Sequence, residues 1–68
     1  MIPKNLIEKL VDNGVYVYIR GINIEFAGVV KSITEDDVVV LEDNKNNLIN
    51  IPLSLIDVIT ERRWFIKF

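Results

Sequence analysis

The 68-residue sequence contains no cysteine and no histidine, and it has only three glycines and two prolines. Without cysteine there is no disulfide framework and no thiol nucleophile, and without histidine there is no imidazole base and no zinc site of the usual kind. No apolar run approaches the roughly 20 residues of a membrane-spanning helix, and the first residues lack the layout of a signal peptide. These absences predict a cytoplasmic, non-catalytic protein with no metal and no cofactor.

Size and composition favour self-association. A chain of this length forms one small domain, and such a domain buries only about 60% of its unfolded surface. Half of the residues are hydrophobic, and disulfides and metals, the usual compensations in small domains, are missing. The formal charge is −2, so general binding to polyanions, which needs clustered Lys and Arg, is not expected. We therefore expect the chain to complete its burial by oligomerisation.

Period-2 patterning dominates the chain and predicts β-strands that bury one face. Val15, Val17 and Ile19 alternate with polar or aromatic residues. The predicted strands lie at about residues 15–20, 24–33, 38–43, 48–51 and 56–60, with a single 3₁₀ turn at residues 53–55. The connections are short, which restricts neighbouring strands to antiparallel pairing. Gly28, in the middle of the long second strand, predicts a bend or a close backbone approach of the kind that curls a small sheet.

Residues 2–13 are predicted to form a short amphipathic helix. The apolar residues fall in one stripe at helical spacing, and they are Ile2, Leu6, Ile7, Leu10 and Val11. Asn13 and Gly14 form a stop signal, in which Gly14 is expected to take the left-handed position after the helix. A helix this short is marginal alone, so it is expected to lie over the apolar end of a barrel.

With this order of elements, the chain resembles the Sm/LSm/Hfq family over about residues 4–60. The resemblance is carried by Val17-x-Ile19 and by the segments 26–30, 38–41 and 55–59. It implies a mainly β fold, in which a short N-terminal helix is followed by a five-stranded, strongly bent antiparallel SH3-like or Sm-like barrel. The barrel would occupy residues 1–61, with a basic, aromatic tail at 62–68. Asn23 falls on the family's turn glycine and is expected to be left-handed.

The resemblance also implies a ring that binds single-stranded RNA on one face. Tyr18 falls near an aromatic position that stacks purines in Hfq-type proteins, and Arg20 lies on the same face. Thr34 and Ser54 fall where the family carries its uridine-pocket residues, although the residue types differ here. The predicted RNA-binding residues are Tyr18, Arg20, Asn23, Thr34 and Ser54. The competing interpretation is that Tyr18 and Arg20 form the solvated face of a strand.

In Sm-like rings the fourth strand of one subunit pairs with the fifth strand of the next, which predicts a cyclic homo-oligomer, a hexamer or heptamer. The predicted interface residues are Leu48, Ile49, Asn50, Ile51, Ile56, Asp57, Val58 and Ile59. Both segments are apolar with few charges, as suits strand edges that pair with a partner. Two alternatives remain open. One is an oligomeric structural or adaptor barrel that binds protein and not RNA, and the other is an unrelated SH3-like barrel.

Two further groups of residues carry predictions. The acidic residues at 35–37 and 42–43 match no calcium-loop spacing and are interpreted as turn residues. The tail contact residues are Arg62, Arg63, Trp64, Phe65 and Phe68. Alternation of Trp64, Ile66 and Phe68 favours packing against the same sheet or a neighbour. The alternative for the tail is nucleic-acid binding, with its basic side chains on phosphates and Trp64 stacking on a base.

Overall fold

The computed structural model describes residues 2–62, which form one short helix and five strands. Helix α1 is Lys4–Lys9, and the strands are β1 (Gly14–Ile19), β2 (Glu25–Ile33), β3 (Val38–Glu42), β4 (Leu48–Pro52) and β5 (Ile56–Glu61). A 3₁₀ turn at Leu53–Leu55 joins β4 to β5. The predicted number and order of elements are confirmed. The predictions for residues 63–68 lie outside the described residues. The described part of the chain includes no helix with the length and apolar character needed to cross a membrane.

The five strands form one antiparallel sheet in the order β4-β3-β2-β1-β5. The predicted sheet is confirmed, but it is not a closed barrel, because within residues 2–62 no ladder joins β4 to β5. The 3₁₀ turn between these strands has only three residues, which span about 6 Å at 2 Å per residue. The two edge strands therefore meet at one end, and the sheet must curl strongly for a turn this short to connect its opposite edges.

Two features let β2 follow this curl. A side chain at Gly28 would place its Cβ 2.7 Å from the carbonyl oxygen of Glu42, so the close approach predicted at this glycine is confirmed. The pairing of β2 with β3 also shifts register between Val30 and Ser32. A register shift of this kind is a bulge, which bends a strand and increases its twist.

The core lies on the concave side of the sheet, under α1 and the 3₁₀ turn. Its buried side chains are Ile7, Val15, Val17, Val30, Val39, Leu41, Ile51, Leu53 and Ile56. The alternation predicted for β1 is confirmed, since Val15 and Val17 are buried and Tyr16 and Tyr18 are exposed. Two apolar residues assigned to the buried stripes are instead on the surface. Leu6 is 42% exposed and Ile24 is 46% exposed, and Ile24 precedes the first residue of β2.

The helix is shorter than predicted, and the residue that turns the chain is a different one. The residue with positive φ after the helix is Asp12, at 74°, whereas Gly14 is the first residue of β1. The predicted left-handed conformation of Gly14 is therefore wrong. The helix stops early because the next residues bond to β2: the Asp12 amide donates to the Val30 carbonyl (2.7 Å), and the Val30 amide donates to the Asn13 carbonyl (3.1 Å).

Candidate binding surfaces

An open groove of about 790 Å³ lies at the end of β1 where the chain turns into β2. Its wall combines the outward-facing ends of β1, β2 and β5 with the β1–β2 turn. The lining residues are Tyr18, Ile19, Gly21, Ile22, Asn23, Ile24, Glu25, Asp57, Val58 and Thr60. Two of the five predicted RNA-binding residues, Tyr18 and Asn23, therefore share this groove. We refer to it below as the β1–β2 groove.

The turn that borders the groove is built differently from the prediction. The left-handed residue is Gly21, with φ of 80°, and Asn23 does not have a positive φ. The prediction that Asn23 would take the left-handed position is therefore wrong. Glycine adopts this conformation without the steric cost that a Cβ imposes, so the chain turns at Gly21, two residues earlier, and Asn23 remains on the groove wall.

Tyr18 lies in an acidic setting within the groove. It sits opposite Glu25 on β2 and opposite Val58 on β5. A hydrogen bond with the Glu25 side chain raises the pKa of the Tyr18 hydroxyl, with smaller contributions from burial and from the Glu25 charge. Asp57 falls at the bulge in the β1–β5 pairing and also lines the groove. Two carboxylates beside the aromatic ring favour a cationic ligand over a phosphate.

The other predicted RNA-binding residues surround the 3₁₀ turn. The Arg20 amide donates to the Leu55 carbonyl (2.7 Å), and the Leu53 amide donates to the Asp37 carbonyl (2.8 Å). The end of β1 and the β2–β3 turn are thus both attached to the segment that carries Ser54. The Thr34 hydroxyl accepts the Val38 amide at 3.1 Å, and this contact closes its own turn.

The acidic residues at 42–43 and 35–37 serve in turns and surface ion pairs. Asp43 accepts the amides of Lys45 (2.8 Å) and Asn47 (2.9 Å) in the β3–β4 hairpin. These two bonds, that of Asn47 first, lower the pKa of the Asp43 carboxyl. Asp37 pairs with Lys4 at 3.1 Å, and Glu42 pairs with Lys31 at 3.5 Å. No group of three or more metal-ligating side chains occurs in the described part of the chain. The turn role predicted for Asp43 is confirmed.

The predicted interface strands occupy the two edges of the sheet. Leu48 on β4 is 64% exposed and Val58 on β5 is 46% exposed. Asn50 and Asp57 are exposed as well, whereas Ile49 and Ile59 are half-buried. The side chains of Ile51 and Ile56 belong to the core, so at an interface these two residues offer backbone groups only.

The first tail residue, Arg62, packs against its own sheet. Its amide donates to the Gly14 carbonyl at 2.7 Å, and its guanidinium lies over the Tyr16 ring, 5.6 Å from the centroid. A Cβ on Gly14 would lie 2.9 Å from the Arg62 guanidinium, so the glycine provides the space for this side chain. Arg62 is therefore in contact with its own sheet, and the other predicted tail contacts lie outside the described residues. The sequence pattern did not indicate a role for Gly14 in the contact.

Three exposed apolar residues that line the β1–β2 groove were absent from the predicted RNA-binding residues, namely Ile22, Ile24 and Val58. Val58 was predicted only as an interface residue. The sequence pattern placed Ile24 in the second strand, whereas β2 begins at Glu25, and it carried no signal for the exposure of Ile22. Comparison with protein-family models, curated proteins and solved structures finds no match to the chain. The case for a function therefore rests on these surfaces.

Proposed function

We propose that this chain is a non-catalytic assembly module whose copies join edge to edge, with β4 of one copy pairing with β5 of the next. The observation that carries the proposal is the strand order β4-β3-β2-β1-β5, which leaves both of these strands at edges of the described sheet. Each edge strand presents backbone donors and acceptors on its outer side. Such edges template pairing with another chain unless they are blunted.

Neither edge is well protected against pairing. β4 carries no charged residue, and its exposed Leu48 and half-buried Ile49 are apolar. β5 carries Asp57 and Glu61 but also the exposed Val58. Pro52 cannot donate to a ladder, and it stands at the last position of β4, where it leaves the preceding residues free to pair.

A contact between two different edges is head-to-tail, and a repeated head-to-tail contact gives a ring when the rotation between copies closes. The curl of the sheet supports a rotation between successive copies over a straight stack, because a curled sheet turns its two edges away from a common line. An SH3-like or Sm-like barrel identity, and a hexamer or heptamer, belong to the same proposal and derive from the family resemblance of the sequence.

Light scattering coupled to size-exclusion chromatography tests this function. The full chain is expected to elute at an integral multiple of its 7.9 kDa mass. Leu48→Lys puts a charge on the β4 edge and is expected to shift the population towards the monomer. Leu6→Lys is the matched control, because Leu6 is exposed on α1, which packs against the central strand β2, and it is expected to keep the mass of the unsubstituted chain. If the unsubstituted chain is monomeric at micromolar concentration, the proposal is rejected.

Single-stranded RNA binding is the second candidate, and the exposed ring of Tyr18 on the outer face favours it. Stacking of a base on an aromatic side chain contributes about 1–3 kcal/mol. Fluorescence anisotropy with oligo-U and oligo-A is expected to show binding that Tyr18→Ala weakens and Tyr18→Phe preserves. Non-specific nucleic-acid complexes have dissociation constants up to about 100 μM, so no binding of either oligomer by that concentration removes this candidate.

A further inference from the structure

The outward face of β1 carries two tyrosines, and a cation already lies over one of them. Tyr16 and Tyr18 point outward because Val15 and Val17 point into the core. The Arg62 guanidinium lies over the Tyr16 ring, 5.6 Å from its centroid, which is within the range of a cation–π contact. This face of the sheet therefore receives a guanidinium at one tyrosine, and Tyr18 is the next outward residue along the strand.

Two carboxylates lie on either side of Tyr18 in the β1–β2 groove. Glu25 is directly opposite it on β2 and bonds to its hydroxyl, and Asp57 lines the groove from β5. Neither carboxylate takes part in the ion pairs that the structure shows among residues 2–62. A guanidinium can lie flat on an aromatic ring while its N–H groups donate to carboxylates beside it, so this combination suits arginine better than the compact ammonium of lysine.

The apolar part of the groove is too large for one side chain. Ile22, Ile24 and Val58 are 54%, 46% and 46% exposed, and they line the groove together with Tyr18. The groove volume of about 790 Å³ falls in the range of about 300–1,000 Å³ that holds a drug-sized ligand. Contiguous exposed apolar surface of this kind marks a contact site, and a segment with apolar residues beside its cation would cover it.

We propose that the β1–β2 groove binds an extended segment of another protein in which one arginine lies between large apolar residues. The arginine would lie over the Tyr18 ring and donate to Glu25 and Asp57, and its apolar neighbours would cover the two isoleucines of the β1–β2 turn. Exposed charges attract each other weakly in water, so burial of the apolar residues supplies the main stabilisation. The carboxylates determine which sign of charge the groove accepts.

This site is separate from edge-to-edge assembly, although both involve β5. Val58 lies directly opposite Tyr18, so its side chain projects from the outward face that carries the groove. Pairing with a second copy uses the backbone groups along the free edge of β5, as in any contact between sheet edges. The two contacts therefore use different atoms of the same strand.

Nuclear magnetic resonance of the isotope-labelled full chain tests the proposal with three acetylated and amidated tripeptides. Leu-Arg-Leu is the probe, Leu-citrulline-Leu replaces the guanidinium with a neutral urea of nearly the same shape, and Gly-Arg-Gly lacks the apolar side chains. At millimolar concentration, Leu-Arg-Leu is expected to shift amide signals of residues 18–25 and 57–60 and to bind several-fold more tightly than either analogue. Equal affinity for Leu-Arg-Leu and either analogue overturns the proposal, as does the absence of shifts.

Variants with matched changes of charge locate the site. Glu25→Gln combined with Asp57→Asn is expected to remove the preference for arginine over citrulline, and the spectrum of the free variant reports whether the fold is kept. Glu35→Gln combined with Asp36→Asn removes two exposed carboxylates from the β2–β3 turn, outside the groove, and is expected to retain the preference. A preference that the groove variant keeps, or that the turn variant loses, overturns the proposal.

The same spectra identify other occupants. Shifts of the groove amides by oligo-A or oligo-U in place of Leu-Arg-Leu assign the groove to nucleic-acid bases, and shifts of residues 21–24 with protein concentration alone assign it to a second copy. Either result overturns the proposal. Leu48→Lys, on β4 outside the groove, is expected to lose assembly and to keep binding of Leu-Arg-Leu, so each of the two proposals can fail without the other.

Discussion

At the residue scale, the two glycines Gly28 and Gly14 have crowded surroundings of different kinds. The atom nearest to an added Cβ is the backbone carbonyl oxygen of Glu42 at Gly28, but the end of the Arg62 side chain at Gly14. A backbone atom in a paired strand has little freedom to move, whereas a guanidinium at the end of a flexible side chain can rotate away. The two sites are therefore expected to tolerate a methyl group very differently.

Gly28→Ala is expected to lower the free energy of unfolding by about 1–3 kcal/mol, the range typical of overpacked sites. Gly14→Ala serves as the matched control and is expected to have a smaller effect. Chemical denaturation followed by circular dichroism measures both values. Equal destabilisation by the two substitutions would contradict the close approach of β2 to β3 at Gly28.

The Asp43 carboxyl makes the β3–β4 hairpin sensitive to acid. Its pKa is lowered in the folded state from an ordinary value of 3.8, so the unfolded chain binds the proton more readily. The stabilisation is therefore present above about pH 4 and is lost as the pH falls through the folded-state pKa.

Asp43→Ala is expected to lower the melting temperature at neutral pH, since the Lys45 and Asn47 amides lose their acceptor, and to flatten the dependence of melting temperature on pH below about pH 4. Asn44→Ala, in the same turn, is expected to keep the steeper acid dependence of the unsubstituted protein. Parallel pH profiles for Asp43→Ala and the unsubstituted chain would show that the hydrogen bonds of this carboxylate do not contribute to stability.

Alternation along the sequence predicted individual residues well only inside the strands. Val15 and Val17 are buried as expected because both lie within a central strand with neighbours on each side. Ile24 has the same apolar character, but β2 begins at Glu25, so Ile24 belongs to the turn and forms part of the groove wall. Tyr18 and Asn23 were both among the five predicted RNA-binding residues, whereas the exposure of Ile22 depends on how the turn folds at Gly21, which periodicity does not encode.

At the scale of elements, α1 depends on its packing more than on its own helical tendency. A helix of six residues is too short to be stable alone in water. One of its side chains, Ile7, is fully buried in the core, and its neighbour Leu6 is 42% exposed. Ile7 and Leu6 have similar volumes, but only Ile7 contributes a fully buried side chain to the packing of α1 on the sheet.

Ile7→Ala is expected to reduce the free energy of unfolding by about 2–5 kcal/mol because it leaves a cavity under the helix. Leu6→Ala removes a similar number of methyl and methylene groups from a solvent-exposed site and is expected to cost much less. Urea titration monitored by far-ultraviolet circular dichroism compares the two. A larger loss for Leu6→Ala would mean that the helix docks through its other face.

The order of elements followed from period-2 alternation and turn residues, but their exact limits did not. The helix ends at Lys9 because residues 11–13 bond to Val30 in β2, and a contact between distant parts of the chain leaves no local signal. Closure of the sheet could not be predicted for the same reason. The sequence shows where strands lie, and whether β4 and β5 bond to each other depends on how far the whole sheet curls.

At the scale of the whole molecule, the distinction between central and edge strands is open to measurement by hydrogen exchange. β2 pairs on both sides, with β1 and β3, whereas β4 pairs only with β3 and β5 only with β1 in the described residues. If copies join through these edges, the outward-facing amides of β4 and β5 gain partners only in the assembly. Amides of β2 are paired at every concentration.

We expect exchange of β4 and β5 amides to slow as protein concentration rises, while exchange of β2 amides stays constant and acts as an internal control. Mass spectrometry of peptic fragments after deuterium labelling provides the comparison. Edge amides that exchange at the same rate across the range in which light scattering detects association would place the contact between copies elsewhere on the surface.

The three-residue turn between β4 and β5 has a consequence for how copies would add to one another. This turn is bonded at both ends, to the β2–β3 turn through Leu53 and to the end of β1 through Leu55, so neither edge strand can shift without moving the other. A neighbour that restrains one edge thereby restrains the opposite edge before the next neighbour arrives. If copies join edge to edge as proposed, each addition makes the next one easier, and native mass spectrometry should record free subunits and completed assemblies with few partial ones.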